Sequence, residues 1–346
     1  MASSRETGKM AKVWNRLHQL FPTLVYLRSK LYHLIPVFFA VTFASFLLLN
    51  LLPGNIVDAL LVDQGDFAAD QETRAEIEKE LGLDKPVMVR YVIWLGDLVQ
   101  GDLGRSYVTG SRVFELIAQR MPATLQLLVM AQLFALLLAI PLGVYAAYRQ
   151  NRLPDRILST VMFGIVATPI FVLAIVMVFV FAVTLQWLPA VGHTPMFLGF
   201  WANIKGFILP MIAVGLTEVP ILMRVLRVDM ITTLQEDYIA LAKAKGMTTR
   251  HILFRHAFRP SSFTLVTIVG LQLGRLISGL VIVESIFAIP GIGKLLIDAI
   301  DSRDVLVVQG IVAFTAIAYV LINFTVDIIY SLLDPRVRRG TEGARA

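Results

Sequence analysis

Cysteine is absent from the 346 residues. A disulfide framework, a zinc–thiolate site and a thiol nucleophile are therefore excluded, and the redox compartment cannot be read. Charge is also scarce. Asp, Glu, Lys and Arg make up 16% of the chain, against about 25% in ordinary globular proteins. Histidine occurs five times, scattered at 18, 33, 193, 251 and 256, so no metal cage is expected within the chain. No His-Glu-x-x-His or Gly-x-Ser-x-Gly occurs, and Gly291-Ile-Gly-Lys294 lacks the spacing and the Ser/Thr of a phosphate loop. A non-catalytic chain is the expectation. There is no internal repeat and no low-complexity tract.

What is abundant is apolar. Hydrophobic residues reach 57% and mean hydropathy is +0.72. Such a chain is not disordered, and one water-soluble core cannot hold that surplus. Roughly 20 apolar helical residues span a bilayer. Six runs qualify: 31–56, 121–148, 157–188, 206–226, 262–289 and 305–333. The first three carry no Asp, Glu, Lys or Arg. The others contain only Glu218 and Arg224, then Arg275 and Glu284, then Asp327. The fold class expected is an all-α integral membrane protein with six transmembrane helices.

The net charge is +6. On a soluble chain that would point to nucleic acid; here it marks basic loops on the cytoplasmic side, and no nucleic-acid partner is expected. The tail 1–30, the second and fourth connectors and the tail 334–346 hold 20 of the 31 Lys and Arg. Both termini are therefore placed in the cytoplasm. With Arg224 counted in the fourth connector, as in that total, segments assigned there carry +13, outer segments −5 and the spans −2.

Three units are expected: a basic tail 1–30, a six-span membrane domain 31–333 and a basic tail 334–346. Connector 57–120 is the candidate extracytoplasmic subdomain. In it, 70–81 reads as a short helix with Asp70 as N-cap and Gly82 after its end. Pro86 opens a second helix in which Val87, Tyr91, Trp94, Leu95 and Leu98 share a face, to pack on span ends or lie in the interface. Trp94, Trp187 and Trp201 fall near expected outer boundaries. In the first tail, Val13, Trp14, Leu17, Leu20 and Phe21 among basic residues fit either a membrane-surface helix or a leader.

The connector 227–261 carries the most information. The stretch 237–260 predicts two short helices around Gly246. Tyr238, Leu241 and Ala242 share one face, and Gly246 stops the first helix. Thr248 or Thr249 caps the second, with Ile252, Leu253, His256 and Ala257 on its small face. Lys243, Lys245, Arg250, Arg255 and Arg259 point elsewhere. Such an elbow suits docking into a partner's groove, although a solvated positive loop has the same composition.

This stretch resembles the cytoplasmic coupling loop of bacterial ABC importer permeases, in the form found in the dipeptide/oligopeptide/nickel permease family. Asp237, Tyr238, Ile239, Ala242, Ala244, Lys245 and Gly246 match its first half; His256, Ala257, Phe258 and Arg259 match its second. Blocks 81–86, 91–96, 101–106, 120–125, 283–293, 308–310 and 327–336 also resemble the family, in order. Two departures stand out: Thr264 replaces a common Pro, with Pro260 earlier, and Pro53-Gly-Asn-Ile56 replaces Pro-Gly-Asp-Pro.

The resemblance implies a type I ABC importer permease architecture in the bacterial cytoplasmic (inner) membrane. It implies partners: a second homologous permease subunit, two cytoplasmic ATPase subunits and an extracytoplasmic binding protein. ATP and Mg would act in the ATPases, with no cofactor or metal bound by this chain. Di- or oligopeptides are the expected substrate class, with nickel chelates, glutathione and oligosaccharides as alternatives. Glu218, Arg275, Glu284 and Asp327 are candidate pathway or interhelical charges, because ionisable groups in spans need partners. They also carry the rival reading of an ion-coupled secondary transporter.

Overall fold

A computed structural model describes residues 35–47 and 84–333, together with residues 57, 75, 78, 79 and 82; side chains at 275, 277–279 and 327–333 fall outside the description. Both tails and most of the expected helix over 70–81 lie outside the described residues. Every regular element described is helical, apart from one isolated antiparallel bridge between Arg105 and Arg112.

In chain order the helices are α1 (Ile35–Leu47), α2 (Val87–Val99), α3 (Val113–Tyr148), α4 (Leu153–Ala167) and α5 (Ile170–Met177), continued by a π-helical segment Val178–Thr184. Then come α6 (Phe200–Thr233), α7 (Asp237–Ala244), α8 (Phe258–Ile286), α9 (Ile292–Asp301) and α10 (Val305–Leu333). Among the described residues, three helices are long and apolar enough to cross a membrane: α3, α6 and the 305–326 part of α10. The bent pair α4–α5 makes up to four.

The long helices exceed the apolar runs. α3 has 36 residues and α6 has 34, so they measure about 54 and 51 Å at 1.5 Å per residue. A hydrocarbon core is about 30 Å thick. Their ends therefore project, and the end of α6 carries the elbow outward. Pro122 and Pro141 sit inside α3 and Pro210 and Pro220 inside α6 without ending either helix. Neighbouring helices make such prolines tolerable.

The run 157–188 is not one straight helix. It breaks at Thr168–Pro169, with 100° between its halves. Proline disfavours helical geometry in the residue before it, and Thr168 is extended at φ −89°, ψ 123°. The Thr168 hydroxyl donates to the Gly164 carbonyl at 2.8 Å, covering an acceptor the break leaves open.

Four clusters build the bundle. One joins α3, α5, α6 and α8 around Leu127, Phe207, Leu280 and Phe287. A second, nearer the elbow, joins Ala139 and Ala147 of α3 to Leu222, Leu226 and Met230 of α6 and to Leu253 and Ala257. At the opposite end, Leu103, Val113 and Ile117 pack on α9 and the start of α10. There too, Tyr91 and Trp94 of α2 pack on Phe46 of α1 and Ala313 of α10, so the apolar face of α2 sits on helix ends. Trp187 and Trp201 are exposed.

Apolar surface alone gives little helix–helix drive in lipid, so small residues that permit close packing matter. A Cβ at Gly215 of α6 would lie 2.6 Å from Phe134 Cδ1 and 2.9 Å from the Ala131 carbonyl oxygen of α3. The backbone contact cannot be relieved by a rotamer change. Gly215→Val is expected to cost about 1–3 kcal/mol, the usual range for overpacking, and to lower the unfolding temperature in detergent. An unchanged melting curve would show that the α3–α6 spacing is not set at Gly215.

Candidate functional site

The elbow begins where α6 ends at Thr233. Glu236, extended at ψ 147°, occupies the N-cap of α7, and Asp237 adds a negative charge to its first turn. The helix closes on Gly246, whose φ is +73°. Gly246 N–H donates to the Lys243 carbonyl at 3.0 Å, and Met247 N–H to that of Ala242 at 3.2 Å. This pair of bonds is a Schellman ending, which needs a left-handed residue at the Gly246 position. Thr248 stands at the next N-cap, but its hydroxyl makes no capping bond.

The second helix of the elbow is not separate. A short turn, Thr249–His251, runs into a π-helical segment, Ile252–Ala257, and on into α8. Pro260 supplies a physical reason. Its ring crowds the carbonyl four residues back and has no N–H to offer it. That carbonyl belongs to His256, and the Tyr238 hydroxyl donates to it at 3.4 Å. The aromatic residue of the first half thus braces the second.

The stripe of Tyr238, Leu241 and Ala242 divides between the buried and exposed sides of α7. Ile239 and Ala242 are buried against Ile252 and Leu234, whereas Tyr238 and Leu241 are 44% and 56% exposed. Ile239 and Ala242 are three residues apart and share the face that seats α7 on the chain, which leaves Tyr238 and Leu241 on its exposed side. Asp237, Ala244, Lys245 and Arg259 are exposed and His256 is half-buried, its ring 5.3 Å from that of His251. Ile252, Leu253 and Ala257 are buried. On the other side, Arg250, His251, Phe254, Arg255 and Arg259 line an open, basic groove of about 780 Å³.

The elbow is tied to the bundle by polar groups that sequence reading counted only as charges. Arg227, near the end of α6, makes a two-pronged ion pair with Asp155 of α4, with both bonds at 2.6 Å. Asp155 also accepts the Asn151 N–H at 2.8 Å. Thr233 and Ser261 hydroxyls meet at 3.1 Å, linking the end of α6 to the start of α8.

Two of the four candidate charges, Glu218 and Glu284, have described side chains. Glu218 of α6 is buried and accepts a hydrogen bond from Gln272 of α8 at 2.8 Å. Glu284 is fully buried at the far end of α8. It accepts the Thr124 hydroxyl at 2.6 Å and the N–H groups of Gly293 and Lys294 at 2.7 and 3.1 Å. Thr124 accepts in turn from Ile292 N–H at 2.8 Å. Glu284 thus serves the N-terminus of α9, where unpaired N–H groups need an acceptor. The side chains of Arg275 and Asp327 lie outside the described residues. Among the described residues, no group of three or more His, Asp or Glu is placed to hold a metal.

Asp304 does for α10 what Glu284 does for α9. It accepts from Val307 N–H at 3.4 Å, from the Ser106 hydroxyl and from Tyr107 N–H at 3.3 Å. An acid just before an apolar run is an N-cap signal, so Asp304 was findable from sequence. Its partner Ser106, nearly two hundred positions earlier, was not.

Residues 139–339 match the family described as binding-protein-dependent transport system inner membrane component, and residues 23–128 match that family's N-terminal region. The chain belongs to this family. It is a multi-pass inner-membrane permease subunit of an ABC importer, not an enzyme. It is 36% identical to the di/tripeptide transport system permease protein DppB of Pseudomonas aeruginosa, over 91% of this chain and 99% of that one. It is 34% identical to the glutathione transport system permease protein GsiC of Salmonella choleraesuis, with the same coverage. Among solved structures, an inward-facing MetNI methionine ABC transporter covers 64% of this chain and 97% of its own, with a TM-score of 0.50 and 16% identity. That likeness speaks for the fold alone.

Two outcomes follow from the buried acids of this permease. Glu284→Gln sets an amide NH₂ among groups that donate, and should cost about 1–3 kcal/mol. Faster hydrogen exchange at Gly293 and Lys294 would report it; unchanged exchange would count against the capping role. Asp155→Asn leaves the Arg227 guanidinium without its charged partner, for an expected loss of about 2–3 kcal/mol. Reversing the pair, Asp155→Arg with Arg227→Asp, should recover part of the lost melting temperature, and no recovery at all would argue against a direct link.

Proposed function

We propose that this permease forms half of a translocation path for di- or oligopeptides and is driven through the elbow around Gly246. Six spans, with both termini in the cytoplasm, would set the elbow on the cytoplasmic side. A second, similar permease subunit would complete the path. Two cytoplasmic ATPase subunits would bind ATP and Mg, and an extracytoplasmic binding protein would deliver the substrate. The chain itself would bind no cofactor or metal.

One observation carries the coupling part: the elbow protrudes, yet it is rigidly continuous with two long helices. Its floor, Ile239 and Ala242, is seated on Ile252 and Leu234, while 243–251 is exposed. The Arg227–Asp155 and Thr233–Ser261 links join its two roots to the bundle. A push on α7 would therefore move α6 and α8 together, and Glu218–Gln272 lies farther up the same pair. The exposed Lys and Arg suit an acidic groove on an ATPase.

The peptide part rests on the names of the relatives, including the dipeptide permease of Alkalihalophilus pseudofirmus at 34% identity. Glutathione, a peptide itself, is the second reading, favoured by the Salmonella relative. Nickel chelates and oligosaccharides have no such support among these relatives. An ion-coupled transporter would need its charges gathered along one route, and Glu218 and Glu284 answer to separate partners.

Gly246→Asp and Ala242→Glu are the direct tests. The first puts a side chain on a left-handed backbone, at about 1–2 kcal/mol; the second puts a charge where a methyl group is buried. In proteoliposomes holding the whole transporter, each should reduce ATP-driven uptake at least about tenfold, a change equal to about 1.4 kcal/mol. Full uptake by both variants would exclude the coupling role. Peptide affinity of the cognate binding protein tests the substrate separately.

A further inference from the structure

A groove of about 300 Å³ opens between α4 and α6, toward the elbow end of the bundle. Met162, Phe163 and Val166 of α4 give it an apolar wall. Its polar groups are Ser159 of α4 and Arg224 and Arg227 of α6. Arg227 is held by Asp155, but no role described above uses Arg224 or Ser159.

Arg224 lies two residues before the end of the apolar run 206–226, at the depth where hydrocarbon gives way to headgroups. Its side chain is exposed, and its guanidinium lies over the Phe163 ring, 5.7 Å from the ring centre. A ring answers part of the charge but leaves most of the guanidinium N–H donors open. Among the described residues, Arg224 has no hydrogen bond and no ion pair. Ser159 is half-buried, and its hydroxyl has no hydrogen-bond partner among the described residues either. Helical hydroxyls elsewhere, such as those of Ser261 and Thr315, bond back to a carbonyl one turn earlier. Neither the Arg224 donors nor the Ser159 hydroxyl is sealed from the groove, so a ligand can reach both.

The surroundings set the sign and shape of that ligand. Arg152 and Arg156, both exposed, add positive charge at the start of α4. The acids at this level are Asp155, already held by Arg227, and Asp229, which does not border the groove. The lining thus has a free cation and no free carboxylate to receive an amine. Beyond it the surface is apolar: within this chain α4 buries only Asp155 and exposes Ile157, Val161 and Val166. A cationic donor at headgroup depth beside an apolar face matches a phospholipid, phosphate at one end and acyl chains at the other. A second, similar permease would bring its own basic connectors to the same level, and like charges facing each other oppose contact.

We propose that this groove binds an anionic phospholipid from the leaflet on the elbow's side, its phosphate on Arg224 and the Ser159 hydroxyl and its chains along Phe163 and Val166. The volume is at the small end of ligand pockets, so the groove takes the phosphate and glycerol while the chains lie outside on α4. The lipid joins α4 to α6 beside the Asp155–Arg227 pair, at the root of the elbow. The proposal is independent of the peptide reading, and it takes from the proposed topology only which leaflet supplies the lipid.

The test is native mass spectrometry of the whole transporter, delipidated in detergent and titrated with dioleoyl phosphatidylglycerol. Saturable retention is expected, tighter than that of dioleoyl phosphatidylcholine. Arg224→Gln should weaken it about fivefold, the worth of one basic residue near an anionic surface, with little change in the melting temperature of the lipid-free protein. Arg224→Lys should keep most of the affinity. Lys205→Gln, which removes an equal charge at the other end of α6, should change nothing; an equal loss there would mean diffuse attraction and overturn the site. Unchanged phosphatidylglycerol affinity in Arg224→Gln also overturns it. Displacement of the lipid by an equal concentration of glycerol 3-phosphate would assign the groove to a small soluble anion instead. Release of a permease subunit from Arg224→Gln, with lipid retention intact, would make the groove a subunit interface and end the lipid proposal.

Discussion

A backbone in hydrocarbon has no water to answer its N–H and C=O groups, and each one left open costs several kcal/mol. Helices answer most of them internally, which is why every long apolar segment described is helical. The difficulty moves to wherever a helix starts, stops or breaks. This chain meets it with side chains at those points. Glu284 and Thr124 receive the first N–H groups of α9. Asp304 receives an N–H at the start of α10. Thr168 covers a carbonyl at the break in the third run, and Tyr238 covers the one that Pro260 leaves open. These bonds also cross between segments. Thr124 is on α3, and Ser106 reaches Asp304 from the loop before α3. Satisfying the helix ends and assembling the bundle are one process.

The same logic gives the elbow its stiffness. Its first helix has only eight residues, too few to be stable alone. It persists because both ends are specified, by an acid at the start and a left-handed glycine at the stop, and because Ile239 and Ala242 have a seat. The second half borrows the rigidity of α8 by running into it without a break. A protruding segment built this way transmits a displacement instead of absorbing it. The ion pair of Asp155 with Arg227 extends that rigidity sideways to the next pair of helices.

Apolar periodicity and charge made the helical, membrane-embedded class legible, along with the face of α2 and the stop at Gly246. These are local properties, set by residues a few positions apart. The third run shows the limit. Its composition is that of a single span in which Pro169 invites a kink, as Pro210 does in α6, yet only the first breaks its helix, and what surrounds each proline decides that. Tyr238, Leu241 and Ala242 form a helical stripe, and only the location of Ile252 and Leu234 decides that Ile239 and Ala242 are the residues turned inward. Glu284 and Glu218 needed partners, but Thr124 and Gln272 lie 160 and 54 positions away from them.

By itself, the sequence determined the solvent, the helical class and the stop at Gly246, because hydropathy and turn chemistry act at short range. Tertiary structure alone decided which buried polar groups meet. It set Glu284 on the end of α9 and Arg227 on Asp155. Those outcomes depend on contacts between segments far apart in the chain, where a shift of one residue along a helix turns a side chain by about 100° and exchanges one neighbour for another.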